Sequence, residues 1–104
     1  MARTALELKA EDVVILDLRK LSFSFDFFVL ASGSSSRRIG TVVEQIEERL
    51  SSRGVRPGHA EGQREGNWVL LDYGSVVAHL FAPEIRGFYG LERLWADAPH
   101  LSIR

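Results

Sequence analysis

The chain contains no cysteine, and this absence excludes several kinds of chemistry at once. Disulfide bonds, thiolate zinc sites, iron–sulfur clusters and thiol nucleophiles all need that side chain. Long apolar runs are also missing, since no stretch approaches the roughly 20 residues that a membrane-spanning helix needs. The first nine residues resemble neither a signal peptide nor an organelle presequence. We therefore expect a soluble, cytoplasmic protein that has no contact with membranes.

An excess of positive charge is missing too. Thirteen basic residues stand against 14 acidic ones, which gives a formal net charge of −1. Proteins whose main partner is nucleic acid usually present a strongly basic surface. We therefore expect RNA to be a minor contact at most, and a basic protein is the better electrostatic match.

The residues that are present indicate one globular domain. Of the 104 residues, 45% are hydrophobic and 26% are charged, as is typical of soluble folded proteins. A chain of this length buries roughly 65% of the surface that its unfolded form exposes, which is enough for a single core. We expect one domain spanning residues 1–104.

The order of apolar runs predicts an α/β fold with a single mixed sheet of about five strands and flanking helices. Runs that are apolar at successive positions are typical of strands covered on both faces. The predicted strands are residues 13–18, 26–31, 57–63, 68–73 and 76–82, the third being a short polar edge strand. Short helices are predicted at residues 4–10 and around Phe88, Leu91 and Trp95.

A longer helix is predicted over residues 36–53. Its apolar residues fall at offsets of 0, 3, 4, 7 and 11 and form one stripe, which comprises Ile39, Val42, Val43, Ile46 and Leu50. Any of the three serines at residues 34–36 can cap its start. Gly54 is suited to end it in a left-handed conformation.

The segment Tyr73-Gly74-Ser75 predicts a hairpin between the last two long strands. A two-residue loop at Gly74-Ser75 places six side chains on one face of the sheet: Trp68, Leu70, Asp72, Val77, His79 and Phe81. Large aromatics mixed with polar groups are typical of a protein interface. The alternative is that His79 and Asp72 are hydrogen-bonded within a second packed layer. A change of one residue in the loop would exchange the two faces.

No catalytic constellation or metal site is expected. The three histidines are 20 and 21 residues apart, which matches no metal-ligand spacing. Ser34, Arg37 and Arg38 at a helix start could bind phosphate, although a serine cap explains the same residues. Nucleotidyltransferases follow such a segment with an Asp-x-Asp pair that holds magnesium, and residues 58–63 contain no such pair. We therefore predict no enzyme activity, no metal and no cofactor.

The order of several motifs resembles the ribosomal silencing factor (Iojap-like) family. The resemblance runs from Lys9 to Pro99. It comprises Asp26-Phe27-Phe28-Val29-Leu30-Ala31-Ser32-Gly33-Ser34-Ser35, Glu61-Gly62, Trp68-Val69-Leu70-Leu71-Asp72-Tyr73-Gly74, His79-Leu80-Phe81, Arg86-Gly87-Phe88-Tyr89 and Leu91-Glu92-Arg93-Leu94-Trp95-Ala96-Asp97-Ala98. Ser75 departs from the pattern, which usually has an aspartate there.

The resemblance implies a fold and a function. The fold would be related to nucleotidyltransferases but without their catalytic carboxylates. Such a protein would bind the large ribosomal subunit through ribosomal protein number fourteen, block association with the small subunit and repress translation when nutrients are scarce.

We expect the partner-binding residues to be Trp68, Asp72, His79, Phe81, Arg86 and Tyr89. A monomer or a weak homodimer is expected. Two alternatives remain at this point. One is a degenerate nucleotidyltransferase that binds a nucleotide at residues 34–38. The other is a homodimeric scaffold that uses the same aromatic face.

Overall fold

The computed structural model describes residues 10–21, 25–62, 64, 66–85 and 98–101. Within these ranges the chain forms six strands and one long helix. In chain order they are β1 (Glu11–Asp17), β2 (Phe27–Ser32), α1 (Ser36–Ser51), β3 (His59–Glu61), β4 (Trp68–Asp72), β5 (Val76–Phe81) and β6 (His100–Leu101). Residues 4–9 of the first predicted helix, and the helix predicted around Phe88, Leu91 and Trp95, lie outside the described residues.

All six strands belong to one mixed sheet with the order β3-β4-β5-β2-β1-β6. The β2–β5 pair is parallel, and the other neighbours are antiparallel. β2 lies inside the sheet with both faces covered, which explains why residues 28–31 are all apolar and all buried. The predicted α/β class with one mixed sheet is confirmed, whereas the relation to nucleotidyltransferases stays a prediction.

The sixth strand, β6, was not predicted. It is two residues long and pairs Leu101 with Ile15 and His100 with Leu16. A segment this short has no periodicity, so its extended form depends on the edge of β1 beside it. The predicted polar edge strand is confirmed in shortened form as β3.

The amphipathic stripe of α1 attaches the helix to the sheet. Ile39, Val42, Val43 and Ile46 are buried among the apolar side chains of β2, β4 and β5, as predicted. Burying an aliphatic side chain of this size contributes roughly 1.5–3 kcal/mol, so the stripe holds the helix in place. No helix in the described part of the chain is long and apolar enough to cross a membrane.

The ends of α1 follow the predicted capping. Ser35 is the N-cap, and its hydroxyl oxygen accepts a hydrogen bond from the backbone N–H of Arg38 at 3.1 Å. After the last turn, Gly54 has a φ of +79°, the left-handed conformation that favours glycine. Both helix boundaries are therefore encoded locally.

The hairpin between β4 and β5 has the predicted register. Trp68 lies opposite Phe81, Leu70 opposite His79, and Asp72 opposite Val77. Gly74 adopts a φ of +89° in the turn, and its N–H donates to Asp72 Oδ1 at 2.8 Å. The alternate residues of both strands face α1, and these are Val69, Leu71, Ala78 and Leu80. The two faces are therefore not exchanged.

Candidate functional site

The sheet face opposite α1, called the far face below, carries the residues that the sequence singled out. It divides into two parts. The outer patch lies on β3 and β4 and consists of His59, Glu61, Trp68, Leu70 and Asp72, because residues paired directly across antiparallel strands point to the same face. The inner cluster lies on β2 and β5 and consists of Phe28, Leu30, Val77, His79 and Phe81.

The inner cluster is core rather than surface. Phe81 is 1% exposed and His79 is 4% exposed. Phe25, Ile85 and Ala98, which come from outside the strands, pack against this cluster. His79 and Phe81, which were predicted as partner-binding residues, therefore do not project from the sheet into solvent. For His79 the alternative of a second packed layer describes its surroundings. The reason is that β5 lies inside the sheet beside β2, where chain segments cover it.

The side chain of His79 makes one hydrogen bond to the described residues. Its Nδ1 accepts from the indole Nε1–H of Trp68 at 3.3 Å. The imidazole is edge-on to the ring of Phe28, with centroids 4.7 Å apart, and is stacked on the ring of Phe81 at 5.9 Å. Burial lowers the pKa of His79 to about 4, so the ring is neutral at pH 7. Its Nε2 is buried without a partner in the described part of the chain.

The outer patch, in contrast, is accessible. Trp68 and Leu70 are half-buried, and together with Glu61 and Gly62 they line a groove of about 260 Å³. One side of the indole packs against Phe81, with ring centroids 5.3 Å apart. The patch therefore presents an aromatic and an aliphatic side chain on a rigid support, a composition typical of an interface anchor.

Carboxylates flank this apolar centre. Glu61 is exposed and its Oε1 lies 2.9 Å from Nε2 of His59. Asp72 is half-buried and is oriented by the turn through its bond to Gly74. An apolar centre with acidic groups beside it complements a partner that carries apolar and basic side chains.

Gly62 allows the chain to pass close to Trp68. Its φ is +84°, and a Cβ at this position would lie 1.9 Å from the carbonyl oxygen of Trp68. No other residue type fits this close approach, because the neighbouring carbonyl oxygen belongs to the backbone and has no room to move aside. Gly62 thereby keeps β3 against the start of β4 and closes one side of the groove.

The structure brings together part of the predicted contact set. Trp68 and Asp72 lie on the accessible patch, His79 and Phe81 lie beneath it, and Arg86 and Tyr89 lie outside the described residues. Leu70, Glu61 and His59 were not in the set. Leu70 could have been found from its place on the predicted hairpin face, whereas the register of a short polar strand such as β3 has no sequence signal.

The serine-rich start of α1 forms a separate hollow of about 330 Å³ lined by Ser34, Ser35, Arg37, Arg38 and Thr41. Ser35 acts there as the helix cap, so capping accounts for that serine. Among residues 10–21, 25–62, 64, 66–85 and 98–101, no group of three or more histidines and carboxylates could hold a metal ion. Nothing in this hollow adds to the phosphate-binding interpretation.

Comparison with known proteins connects this fold to a family. A family model described as "Ribosomal silencing factor during starvation" matches residues 1–104. A Bacillus subtilis protein named ribosomal silencing factor RsfS is 36% identical over 91 residues, which cover 88% of this chain and 77% of that protein. The chain belongs to the ribosomal silencing factor family. Membership supports a ribosome-associated silencing function, and hence a role in regulating translation.

A solved structure and a mouse protein are also similar to this chain. A crystal structure of a protein from Chromobacterium violaceum superposes with a TM-score of 0.86 at 33% identity, covering 90% of this chain and 78% of that one. The mouse protein named mitochondrial assembly of ribosomal large subunit protein 1 is 33% identical over 89 residues, which cover 83% of this chain and 39% of the mouse protein. The resemblance found in the sequence is therefore correct at the level of the family.

Proposed function

We propose that the chain is a cytoplasmic translation repressor without enzymatic activity that binds the large ribosomal subunit through ribosomal protein number fourteen. Bound there, it blocks association with the small subunit by occupying space. The observation that carries this proposal is family membership together with an accessible aromatic patch on the far face. The name of the mouse relative, which refers to the ribosomal large subunit, supports the choice of subunit.

The chemistry of the outer patch fits such a partner. Ribosomal proteins are generally basic because they neutralise RNA phosphates, and the carboxylates of Glu61 and Asp72 match positive charge. Trp68 and Leu70 supply the apolar area at the centre. Tryptophan is among the residue types most often found at binding hot spots. The proposed direct contacts are therefore Trp68, Leu70, Glu61 and Asp72, with Arg86 and Tyr89 retained as expected contacts.

The same surface argues against RNA as the main partner. In the outer patch the carboxylates of Glu61 and Asp72 would repel phosphate groups, and the net charge of the chain is −1. The nucleotide-binding alternative also has little support, since none of the described residues that line the hollow at the start of α1 is a carboxylate that could hold magnesium. We therefore treat ribosomal RNA as a minor contact and propose no nucleotide ligand.

The deciding experiment compares Trp68→Ala with Val55→Ala. Both remove an apolar side chain that solvent reaches, since Trp68 is half-buried and Val55 is exposed, but Val55 lies outside the patch. If Trp68 is a hot spot, its truncation should weaken binding to purified bacterial large subunits by about 2–4 kcal/mol. That corresponds to about thirty-fold to nearly a thousand-fold in affinity. The Val55 variant should bind like the unmodified protein.

The same samples should be used to test anti-association. Adding the unmodified protein to large subunits before small subunits should reduce the fraction of joined ribosomes in a sucrose gradient, and Trp68→Ala should reduce it less. Recovery of the protein on joined ribosomes and on free large subunits alike would contradict the steric proposal. Sedimentation of the protein alone at micromolar concentration tests the homodimer alternative, because a stable dimer through the same patch would compete with the ribosome.

A further inference from the structure

We propose that His79 is a positioning residue, whose buried imidazole holds the indole of Trp68 in the orientation that the partner meets. The inference rests on the proposed function, because it assumes that Trp68 contacts the ribosomal partner. It assigns to His79 an indirect role in place of the direct contact expected from the sequence. His79 itself touches no partner in this proposal.

The hydrogen bond between these two side chains runs diagonally across the hairpin. Trp68 lies directly opposite Phe81, and His79 lies opposite Leu70, two residues further along β4. The indole extends toward His79 and not toward its direct partner, which places Nε1 3.3 Å from His79 Nδ1. Rotation of the indole about either of its side-chain torsions would break this bond. A half-buried tryptophan at the start of a strand is thereby restricted to one orientation.

His79 is itself held in place, which makes it a suitable support. It is 4% exposed, and the rings of Phe28 and Phe81 pack against it with centroids 4.7 and 5.9 Å away. A side chain ordered before binding loses less conformational entropy when the complex forms. Because the imidazole is fixed by the core, its hydrogen bond also restricts the motion of the indole at the surface.

The position of His79 is otherwise unfavourable for stability. Because Nδ1 accepts the indole N–H, the ring hydrogen sits on Nε2, and Nε2 has no hydrogen-bond partner among the described residues. A buried donor without a partner destabilises the fold, and an apolar ring of similar size would avoid this cost. Histidine supplies one group that phenylalanine lacks, namely the Nδ1 atom that accepts the hydrogen bond from Trp68. Burial lowers the pKa of His79 to about 4, so this acceptor is present at neutral pH.

A double-mutant cycle tests the coupling. The variants are His79→Phe, Trp68→Phe and the double variant, and the probe is purified bacterial large ribosomal subunits. Loss of a neutral hydrogen bond predicts that His79→Phe binds about three- to tenfold more weakly. In the Trp68→Phe background the same substitution should have no further effect, because phenylalanine has no N–H to hold. The melting temperature of His79→Phe should be equal to or above that of the unmodified protein.

A second readout needs no partner. The sequence contains two tryptophans, so a Trp95→Phe background leaves Trp68 as the only indole. In ¹⁵N NMR spectra the Trp68 Nε1–H should exchange with solvent faster, and its resonance should shift, when His79→Phe is added. His79→Gln retains a carbonyl acceptor and should restore the slow exchange and much of the affinity.

The outcomes separate this inference from the proposed function. If Trp68→Ala binds large subunits normally, the proposed function fails, and the interface role of His79 fails with it. If Trp68→Ala weakens binding but His79→Phe does not, the positioning role alone is overturned. It is also overturned if the effects of His79→Phe and Trp68→Phe add fully, or if His79→Phe lowers the melting temperature and His79→Gln rescues neither exchange nor affinity.

Discussion

The two halves of the far face have similar compositions and different environments. The outer patch has Trp68, Leu70 and Asp72 on β4, and the inner cluster has Phe81, His79 and Val77 directly opposite them on β5. The side chains on β4 are half-buried, whereas those on β5 are buried. The alternation of side chains along a strand assigns both groups to one face. How far each group is buried depends on the strands and segments beside it. Side chains that share a face of the sheet in the sequence pattern are therefore not all exposed to solvent.

The largest effect is expected from truncating the inner cluster. Phe81→Ala removes a ring that is 1% exposed and leaves a cavity, so it should lower the free energy of unfolding by about 4 kcal/mol. Urea denaturation measures this loss. Trp68→Ala should cost clearly less stability, because part of its ring is already in water. Equal losses for the two variants would mean that the two halves do not differ.

A charge placed under α1 tests the opposite face of the sheet. Val43→Asp would bury an unpaired carboxylate in the stripe and should cost about 3 kcal/mol or more. Glu44→Asp, at the adjacent exposed position of the same helix, is the matched control and should change stability little. An unchanged melting temperature for Val43→Asp would contradict the burial of the stripe.

The dependence of stability on pH should distinguish the buried histidine from an exposed one. The unfolded chain takes up a proton at His79 near pH 6.5, while in the folded state the pKa is about 4. Between these two values the unfolded state binds more protons, so stability falls as the pH is lowered, by up to about 3 kcal/mol at pH 4.

The measurement is the free energy of unfolding at several pH values for the unmodified protein and for His79→Phe. The difference between the two proteins isolates this histidine from carboxylates that titrate in the same range. It should grow steadily from pH 7 to pH 4. Parallel curves would show that His79 is solvated like the surface residues of the outer patch.

The smallest effect is expected at the charged rim of the outer patch. Glu61→Gln should weaken binding to large subunits about two- to fivefold, mainly through a slower association rate that depends on salt. Glu44→Gln makes the same change on the exposed side of α1, away from the outer patch, and should leave binding unaltered. A loss that is the same for both variants, or that persists at high salt, would remove the electrostatic argument for the patch.

Local signals predicted α1 and the hairpin well. The helix stripe, the serine cap, Gly54 and the Gly74 turn each act over a few neighbouring residues, and all appear in the structure. Half of the candidate site followed from them, since the hairpin register correctly placed Trp68 and Asp72 on the face opposite α1. The family resemblance then supplied what no local signal contains, namely the association with ribosomes.

The remaining half of the site depended on contacts between distant segments. β3 adds Glu61 and His59 to the outer patch only because it pairs with β4, and β6 exists only because β1 offers an edge. The burial of His79 depends on β2 lying beside β5 in the sheet and on Phe25, Ile85 and Ala98 packing over this part of it. None of these contacts between distant segments produces a periodic pattern or a fixed spacing in the sequence.

The sequence by itself determined which side chains share a face, because alternation and turn geometry act between residues near one another in the chain. It also determined the absence of thiol chemistry and the family. Only the tertiary structure decided which part of that face reaches solvent. That outcome follows from the order of strands in the sheet, since a strand at the interior is covered by segments from elsewhere in the chain, while one near the edge keeps its side chains accessible.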